Sequence, residues 1–154
     1  RVHFLGDTTQ LVTRRVQWWF IRSVAGYIPM NRQSRHDVVL FQHGNRCLQR
    51  GGVLALYPEG NYGPSEGEIM PFKKGFAHFA IENHVPVLPV ALSGTQDLWL
   101  RKSVRMIIGP AIETSGQTID SLVAIAEDRV RELLPPYRDQ RGIKLFRRRL
   151  THLF

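Results

Sequence analysis

The fold is decided by two stretches, VLALYPEG at residues 53–60 and PFKKG at residues 71–75, with a glycine-bearing loop between them. The continuous apolar run from Val53 to Tyr57 has the length of a buried strand. Pro71 suits the first position of a helix, where its missing N–H is not needed. A strand, a loop and a helix in this order predict an α/β protein.

The rest of the chain alternates short β-rich runs with helix-periodic stretches, and no linker or repeat divides it. This alternation predicts a single layered α/β domain with a mixed, mostly parallel sheet flanked by helices. Strands or extended segments are predicted at residues 2–5, 27–31, 53–57, in part of 85–92, and at 104–108. The prolines Pro86 and Pro89 predict that part of their segment lies at an edge or mouth of the sheet.

Four helices are predicted from capping residues and apolar spacing. The first runs from Thr8 or Thr9 to about Gly26, and the second from Ser34 to Gly51. The third begins at Pro71, and the fourth ends at Pro135. The apolar faces expected for the last three comprise Val38, Phe41 and Leu48; Phe72, Phe76, Phe79 and Ala80; and Leu122, Ala126, Val130 and Leu133.

Composition limits the classes of function. The 154 residues carry a formal net charge of +8, which favours anionic partners such as phosphates, nucleic acid or an anionic membrane leaflet. The single Cys47 excludes an intramolecular disulfide and is interpreted as a small buried apolar residue. No apolar run has the length of a spanning helix, so membrane contact by these residues is expected to be peripheral.

Lys73 and Lys74 point to anion binding at the start of the third helix. The unpaired N–H groups there attract anions and disfavour lysines, so a bound phosphate would resolve the conflict. The alternative is that both lysines simply face water. A P-loop is excluded, because the glycines at 60, 63 and 67 lack the Gly-Lys-Ser/Thr ending.

Three ordered segments resemble the motif blocks of the lysophosphatidic acid acyltransferase (PlsC-like) family. GYIPMNR at residues 26–32 resembles the second block, LALYPEG with PFKKG the third, and VPVLPV at residues 85–90 the fourth. The resemblance implies that Arg32 contacts the acceptor phosphate and that Glu59 and Gly60 shape the acceptor pocket, and it makes the 86–90 segment part of the acyl side. Asn61, Lys73 and Lys74 complete the predicted substrate-binding set.

The sequence departs from the family pattern in its catalytic block. The family's general base is a His followed, after four intervening residues, by an Asp, and no such pair occurs in residues 1–154. No catalytic residue is therefore assigned in this chain; the pair is expected before Arg1, and these residues alone are predicted to be inactive. Asn61-Tyr62 replace the family's Thr-Arg, and Asp7 stands where a basic residue is usual.

The resemblance implies a glycerolipid acyltransferase of phospholipid biosynthesis. It would transfer a fatty acyl group from acyl-CoA or acyl-ACP, as co-substrate, to the hydroxyl of a lysophospholipid. No metal and no other cofactor are expected. The expected partners are the lysophospholipid acceptor, the acyl donor and an anionic membrane surface, with peripheral attachment at the cytoplasmic face of the cell membrane.

The C-terminal segment suggests a division of the chain into an acyltransferase domain at 1–136 and a basic amphipathic helix at 137–154. From residue 138 onward, six basic residues stand against one acidic residue. Such a helix suits an anionic bilayer, or docks on the domain through its apolar face. The rival hypothesis is a basic nucleic-acid or anionic-membrane binding module without catalysis; it lacks a docking motif, and no nucleic-acid partner is expected.

Overall fold

The computed structural model describes residues 1–7, 26–30, 38–60, 67–95 and 99–135. The chain divides into two compact units. The first comprises Arg1–Pro58 and Lys74–Val85, and the second comprises Glu59–Lys73 and Pro86–Phe154. The helix predicted to start at Thr8 or Thr9 and the basic helix predicted at 137–154 lie outside the described residues.

The first unit contains a parallel sheet of three strands. These are β1 (Val2–Asp7), β2 (Gly26–Met30) and β3 (Val53–Ala55), in the order β2-β1-β3. Both neighbours run parallel to β1. The predicted α/β class with a parallel sheet is confirmed. The β3 strand is shorter than the predicted 53–57 run, and Val53 and Tyr57 are exposed, because among the described strands β3 forms an edge with β1 as its one neighbour.

Helix α1 (Val38–Gln49) packs on this sheet through small and medium side chains. Its buried residues are Leu40, Gly44 and Cys47, at helical spacing, whereas Val38 is 62% exposed. The predicted face of Val38, Phe41 and Leu48 is therefore wrong for Val38, whereas Leu48 is half-buried and the Phe41 ring stacks on Phe79. The physical reason is close approach: a Cβ at Gly44 would overlap the ring of Phe79, so the packed face needs a glycine. The predicted end is confirmed, since Gly51 adopts a φ of 71° just after the helix.

A core cluster joins the sheet to α1. Ile28, Leu40 and Cys47 are buried, with Leu5, Met30 and Leu54 packed against them. The Cys47 Sγ lies 3.1 Å from the Nδ1 of His3. Burial raises the pKa of the Cys47 thiol above its usual value. Cys47 is thus a buried core residue, as predicted.

Helix α2 (Gly75–Glu82) begins later than predicted. Lys74 is the N-cap, and its carbonyl accepts hydrogen bonds from the N–H groups of Ala77 and His78. Pro71 therefore does not open the helix, because residues 71–73 form an irregular approach to it. The predicted aromatic face is largely confirmed, since Phe76, Phe79 and Ala80 are buried, while Phe72 lies before the helix.

The second unit contains an antiparallel pair, β4 (Val90–Ser93) and β5 (Arg105–Ile108). Val90 pairs with Ile108 and Leu92 with Met106, so these four side chains share one face. Val90, Met106 and Ile108 are exposed, whereas Ala91, on the opposite face, is 2% exposed. The β4–β5 outer face is therefore apolar and faces water. Both prolines of the 85–92 segment precede β4, as their missing N–H groups require.

Helix α3 (Ile119–Leu133) packs against β4 in the same unit. Leu122 is fully buried and Ala126 is 3% exposed, which confirms the predicted apolar spacing. Burying one leucine side chain contributes about 1.5–3 kcal/mol. Thr118 caps the helix: its hydroxyl accepts from the Ser121 N–H at 3.1 Å, and the Ser121 hydroxyl accepts from the Thr118 N–H at 2.9 Å.

Replacement of Thr118 by alanine removes one half of this reciprocal cap. We expect Thr118→Ala to lower the free energy of unfolding by about 1 kcal/mol, as for other N-cap hydroxyls. Denaturant unfolding followed by circular dichroism measures the change. Ser115→Ala, which removes an exposed hydroxyl just before the cap, is the control. Equal stability of the two variants would contradict the assigned cap.

Candidate functional site

Gly60 and Lys73 lie in direct contact in the second unit. Gly60 has a φ of 69°, in the left-handed region that disfavours residues with a Cβ. A Cβ built there would lie 2.6 Å from the Lys73 Nζ and 2.9 Å from its Cε. The lysine side chain therefore rests on the bare Cα of Gly60. The positive φ favours glycine at this position. The exposed Lys73 side chain lies against it.

Glu59 is hydrogen-bonded to the backbone shortly before Lys73. Its Oε2 accepts a hydrogen bond from the backbone N–H of Met70 at 2.8 Å, and the contact is partly buried. A carboxylate that accepts from a backbone amide makes a stronger bond than a neutral acceptor. The structure thus supports a role for Glu59 in orienting the backbone at Met70. The side chain ties residue 59 to the segment that leads into Lys73.

The predicted substrate-binding residues divide into three groups. Glu59, Gly60 and Lys73 belong to the second unit, where they frame one loop. Lys74 belongs to the first unit, as the exposed N-cap of α2 without a side-chain capping bond. Arg32 and Asn61 lie outside the described residues, so their predicted roles remain predictions.

Sequence reasoning missed a second carboxylate at this loop. The Oε2 of Glu127, on α3, accepts from the backbone N–H of Phe72 at 3.1 Å. Its other oxygen, Oε1, binds the Nη2 of Arg131 at 2.8 Å. The sequence offered one signal, the four-residue spacing of Glu127 and Arg131 on a helix. That spacing predicts a surface ion pair and says nothing of an amide 55 positions away.

A cavity of about 460 Å³ adjoins the same loop. Residues 67–69 line it on one side, and Arg131, Leu134 and Pro135 line it on the other. Within the described ranges, no three His, Cys, Asp or Glu side chains cluster closely enough to hold a metal ion. The same part of the chain contains no helix with both the length and the hydropathy for a membrane crossing.

The family model named Acyltransferase matches residues 1–93, which include both glycine-bearing motif blocks and the 85–90 segment. The chain belongs to the Acyltransferase family. This Acyltransferase chain is 32% identical over 117 residues to human 1-acyl-sn-glycerol-3-phosphate acyltransferase alpha, covering 70% of the chain and 41% of that protein. Its match to 1-acyl-sn-glycerol-3-phosphate acyltransferase of Limnanthes alba is 34% identical over 76 residues, covering 45% of the chain and 27% of that protein.

Among solved structures, the Acyltransferase chain matches the crystal structure of the 1-acyl-sn-glycerophosphate (LPA) acyltransferase PlsC from Thermotoga maritima. The TM-score is 0.65 at 24% identity, and the match covers 90% of this chain and 58% of that one. This likeness supports the α/β fold. The chain spans 41% of the length of the human relative. The predicted family, the PlsC-like acyltransferases, is confirmed.

Removal of the Glu59 carboxylate should release the loop of this Acyltransferase chain. We expect Glu59→Ala to make hydrogen exchange of the Met70 amide about tenfold faster, because one charge-assisted hydrogen bond is lost. Glu59→Gln keeps an acceptor oxygen for the Met70 N–H and should raise the exchange rate less. Hydrogen exchange followed by mass spectrometry measures both. Glu113→Ala, which removes an exposed carboxylate of the same unit, is the control, and an equal rise in that variant would contradict the role of Glu59.

Proposed function

We propose that the complete protein containing this chain is a glycerolipid acyltransferase whose acceptor is a 1-acyl-glycerol-3-phosphate. Residues 59–73 would hold the acceptor's phosphate. The observation that carries the proposal is the contact between Lys73 and Gly60, because it brings an ammonium group beside the Gly60 backbone. Family membership and the names of the relatives support the reaction class.

The charges of the loop suit a phosphate ligand. Glu59 and Glu127 both accept backbone N–H groups, so their negative charges are directed at the loop's own amides. Among the described residues, no carboxylate forms an ion pair with the Lys73 ammonium. As a compact charge, this ammonium suits a phosphate oxygen. The resemblance to the family also implies that Arg32 contacts the acceptor phosphate, for which its planar guanidinium is suited.

In the proposed reaction, the acceptor hydroxyl attacks the thioester carbonyl of acyl-CoA or acyl-ACP. The oxygen–acyl bond forms, the carbon–sulfur bond breaks, and the hydroxyl proton passes to a general base, which returns it to the departing thiolate so that the thiol is released. That base is the His of the family's His–Asp pair, which does not occur in residues 1–154. The part proposed for this chain is to orient the acceptor, which lowers the entropic cost of the attack.

We place the reaction at an anionic membrane surface on the cytoplasmic face, with peripheral attachment. Both proposed substrates carry acyl chains, and the net charge of +8 favours an anionic leaflet. The donor remains either acyl-CoA or acyl-ACP, and neither a metal nor a further cofactor is part of the proposal.

An acyl-transfer assay of the complete protein tests this function. Labelled acyl-CoA and labelled acyl-ACP are each incubated with lysophosphatidic acid, and with lysophospholipids that bear other headgroups, and the products are separated by chromatography. We expect the label to appear in a diacyl product, with lysophosphatidic acid the preferred acceptor. Absence of transfer to every lysolipid would refute the proposal.

The same assay tests the part assigned to Lys73. Lys73→Ala should raise the KM for lysophosphatidic acid about tenfold and leave the KM for the donor unchanged, because a phosphate contact is lost. Lys102→Ala, which removes a lysine of the same unit that lies over Trp99, is the matched control. An unchanged acceptor KM in Lys73→Ala would remove the phosphate-binding role from this loop.

A further inference from the structure

The segment that leads into Lys73 is held by two carboxylates from different parts of the chain. Glu59 accepts the N–H of Met70, and Glu127 accepts the N–H of Phe72. Both contacts are partly buried, at 2.8 and 3.1 Å. Because the two amides lie two residues apart, the intervening Pro71 is clamped on both sides. Lys73 follows Phe72 directly, so its Cα lies about 3.8 Å from the Phe72 Cα. The hydrogen bond from Phe72 to Glu127 therefore limits where Lys73 can lie.

The orientation of Glu127 is itself fixed. Its two oxygens have separate partners: Oε2 binds the Phe72 amide, and Oε1 binds the Arg131 guanidinium at 2.8 Å. The Glu127 side chain is 23% exposed, so solvent screens the pair less than it would a fully exposed one. Asp128, at 3.7 Å from Arg131, is 73% exposed and makes the weaker contact.

This arrangement is not an ordinary surface ion pair. An exposed Glu–Arg pair one helical turn apart contributes little to the free energy of unfolding. Helix α3 has such a pair in Arg129 and Glu132, whose side chains are 52% and 66% exposed. Glu127 differs because it also satisfies a backbone donor far away in sequence. In addition, Arg131 and residues 67–69 line the cavity of about 460 Å³. Residues 67–69 directly precede Met70, whose amide Glu59 binds.

We propose that Glu127, oriented by Arg131, is a positioning residue for the acceptor site: it fixes the Pro71-Phe72 segment so that the Lys73 ammonium lies against Gly60. The inference rests on the proposed function, since it takes this site to hold the acceptor's phosphate. Glu127 lies outside residues 1–93, which the family model matches, so the positioning comes from a helix beyond the shared motif blocks.

The first test is kinetic and uses the complete protein. Glu127→Ala should raise the KM for lysophosphatidic acid about tenfold while kcat and the donor KM change less than twofold, because the acceptor's phosphate contact is loosened and the chemical groups are untouched. Glu127→Gln keeps an oxygen for the Phe72 N–H and should recover most of the affinity. The KM of Arg131→Met for lysophosphatidic acid should lie between those of Glu127→Ala and Glu127→Gln.

Matched variants separate positioning from general destabilisation. Arg129→Met and Glu132→Gln alter the exposed pair on the same helix and should leave both KM values unchanged. If Glu127→Ala keeps the wild-type acceptor KM, or if Glu127→Gln and Glu127→Ala lose affinity equally, the inference is overturned. Loss of activity in Arg129→Met to the same degree would overturn it as well.

A second measurement does not depend on acyl transfer. Hydrogen exchange of the peptide that spans residues 67–73 should become at least tenfold faster in Glu127→Ala, whereas Glu127→Gln should stay near the wild-type rate. Unchanged exchange in Glu127→Ala overturns the positioning role even if the enzyme is active. A wild-type protein that transfers no acyl group refutes the proposed function instead, and the exchange result then still decides whether Glu127 anchors the loop.

Discussion

Gly60→Ala is expected to lower kcat/KM for the acceptor by about 10- to 100-fold in the complete protein. Two effects combine. The φ of 69° places an alanine in a left-handed conformation that costs about 1–2 kcal/mol. The new methyl group would also lie 2.6 Å from the Lys73 Nζ, so the end of the lysine side chain would have to move away from residue 60. The loss of a charged contact to phosphate accounts for most of the kinetic effect.

Gly116→Ala is the matched control for this experiment. Gly116 belongs to the same unit and has a φ of 74°, yet no atom lies within 4 Å of a Cβ built there. Both variants should therefore lose similar stability in denaturant unfolding, while Gly60→Ala alone loses acceptor affinity. If the two variants had equal kinetics, the contact between Gly60 and Lys73 would have no part in substrate binding.

Phe79→Ala should have the largest effect on the stability of the first unit. Phe79 is 4% exposed, its ring stacks on Phe41 with centroids 4.8 Å apart, and its edge reaches the bare Cα of Gly44. Removal of the ring leaves a cavity between α1 and α2 and should cost about 3–5 kcal/mol. A domain of this size is stable by about 5–15 kcal/mol, so a large part of its stability would be lost.

Denaturant unfolding monitored by circular dichroism measures the Phe79 effect. Phe41→Ala is the comparison, because it removes the other ring of the stacked pair from a side chain that is 36% exposed. We expect that variant to lose less than half as much. A Phe79→Ala protein as stable as Phe41→Ala would show that the α1–α2 contact is looser than the structure indicates.

Local patterns predicted the helices whose buried side continues the spacing of large apolar residues without a glycine. The spacing of Leu122 and Ala126 predicted α3, and the cluster of Phe76, Phe79 and Ala80 predicted the buried face of α2. The face of α1 was predicted wrongly at Val38 because its packed side consists of Leu40, Gly44 and Cys47. Hydrophobic periodicity favours bulky residues, whereas close helix packing in this unit requires a glycine.

In the candidate site as well, the sequence predicted some residues and missed the contacts that position them. The motif residues Glu59, Gly60 and Lys73 could be predicted from the sequence, but the hydrogen bond of Glu59 to Met70 and the contact of Lys73 with Gly60 depend on the path of the loop. Glu127 could not be predicted, because its partner is a backbone amide, which has no residue-type signature. Pro71 was assigned to the helix, yet two carboxylates hold the neighbouring amides in an irregular segment instead.

The β4–β5 outer face affects how rates on this protein have to be measured. Val90, Met106 and Ile108 are exposed on this face, and an exposed apolar face favours association between copies of the protein in solution. Such clustering grows with enzyme concentration and slows the arrival of a dispersed, detergent-like substrate at each molecule. Specific rates of different variants are therefore comparable when each is measured over a dilution series of enzyme, with lysolipid kept below the concentration at which it forms micelles.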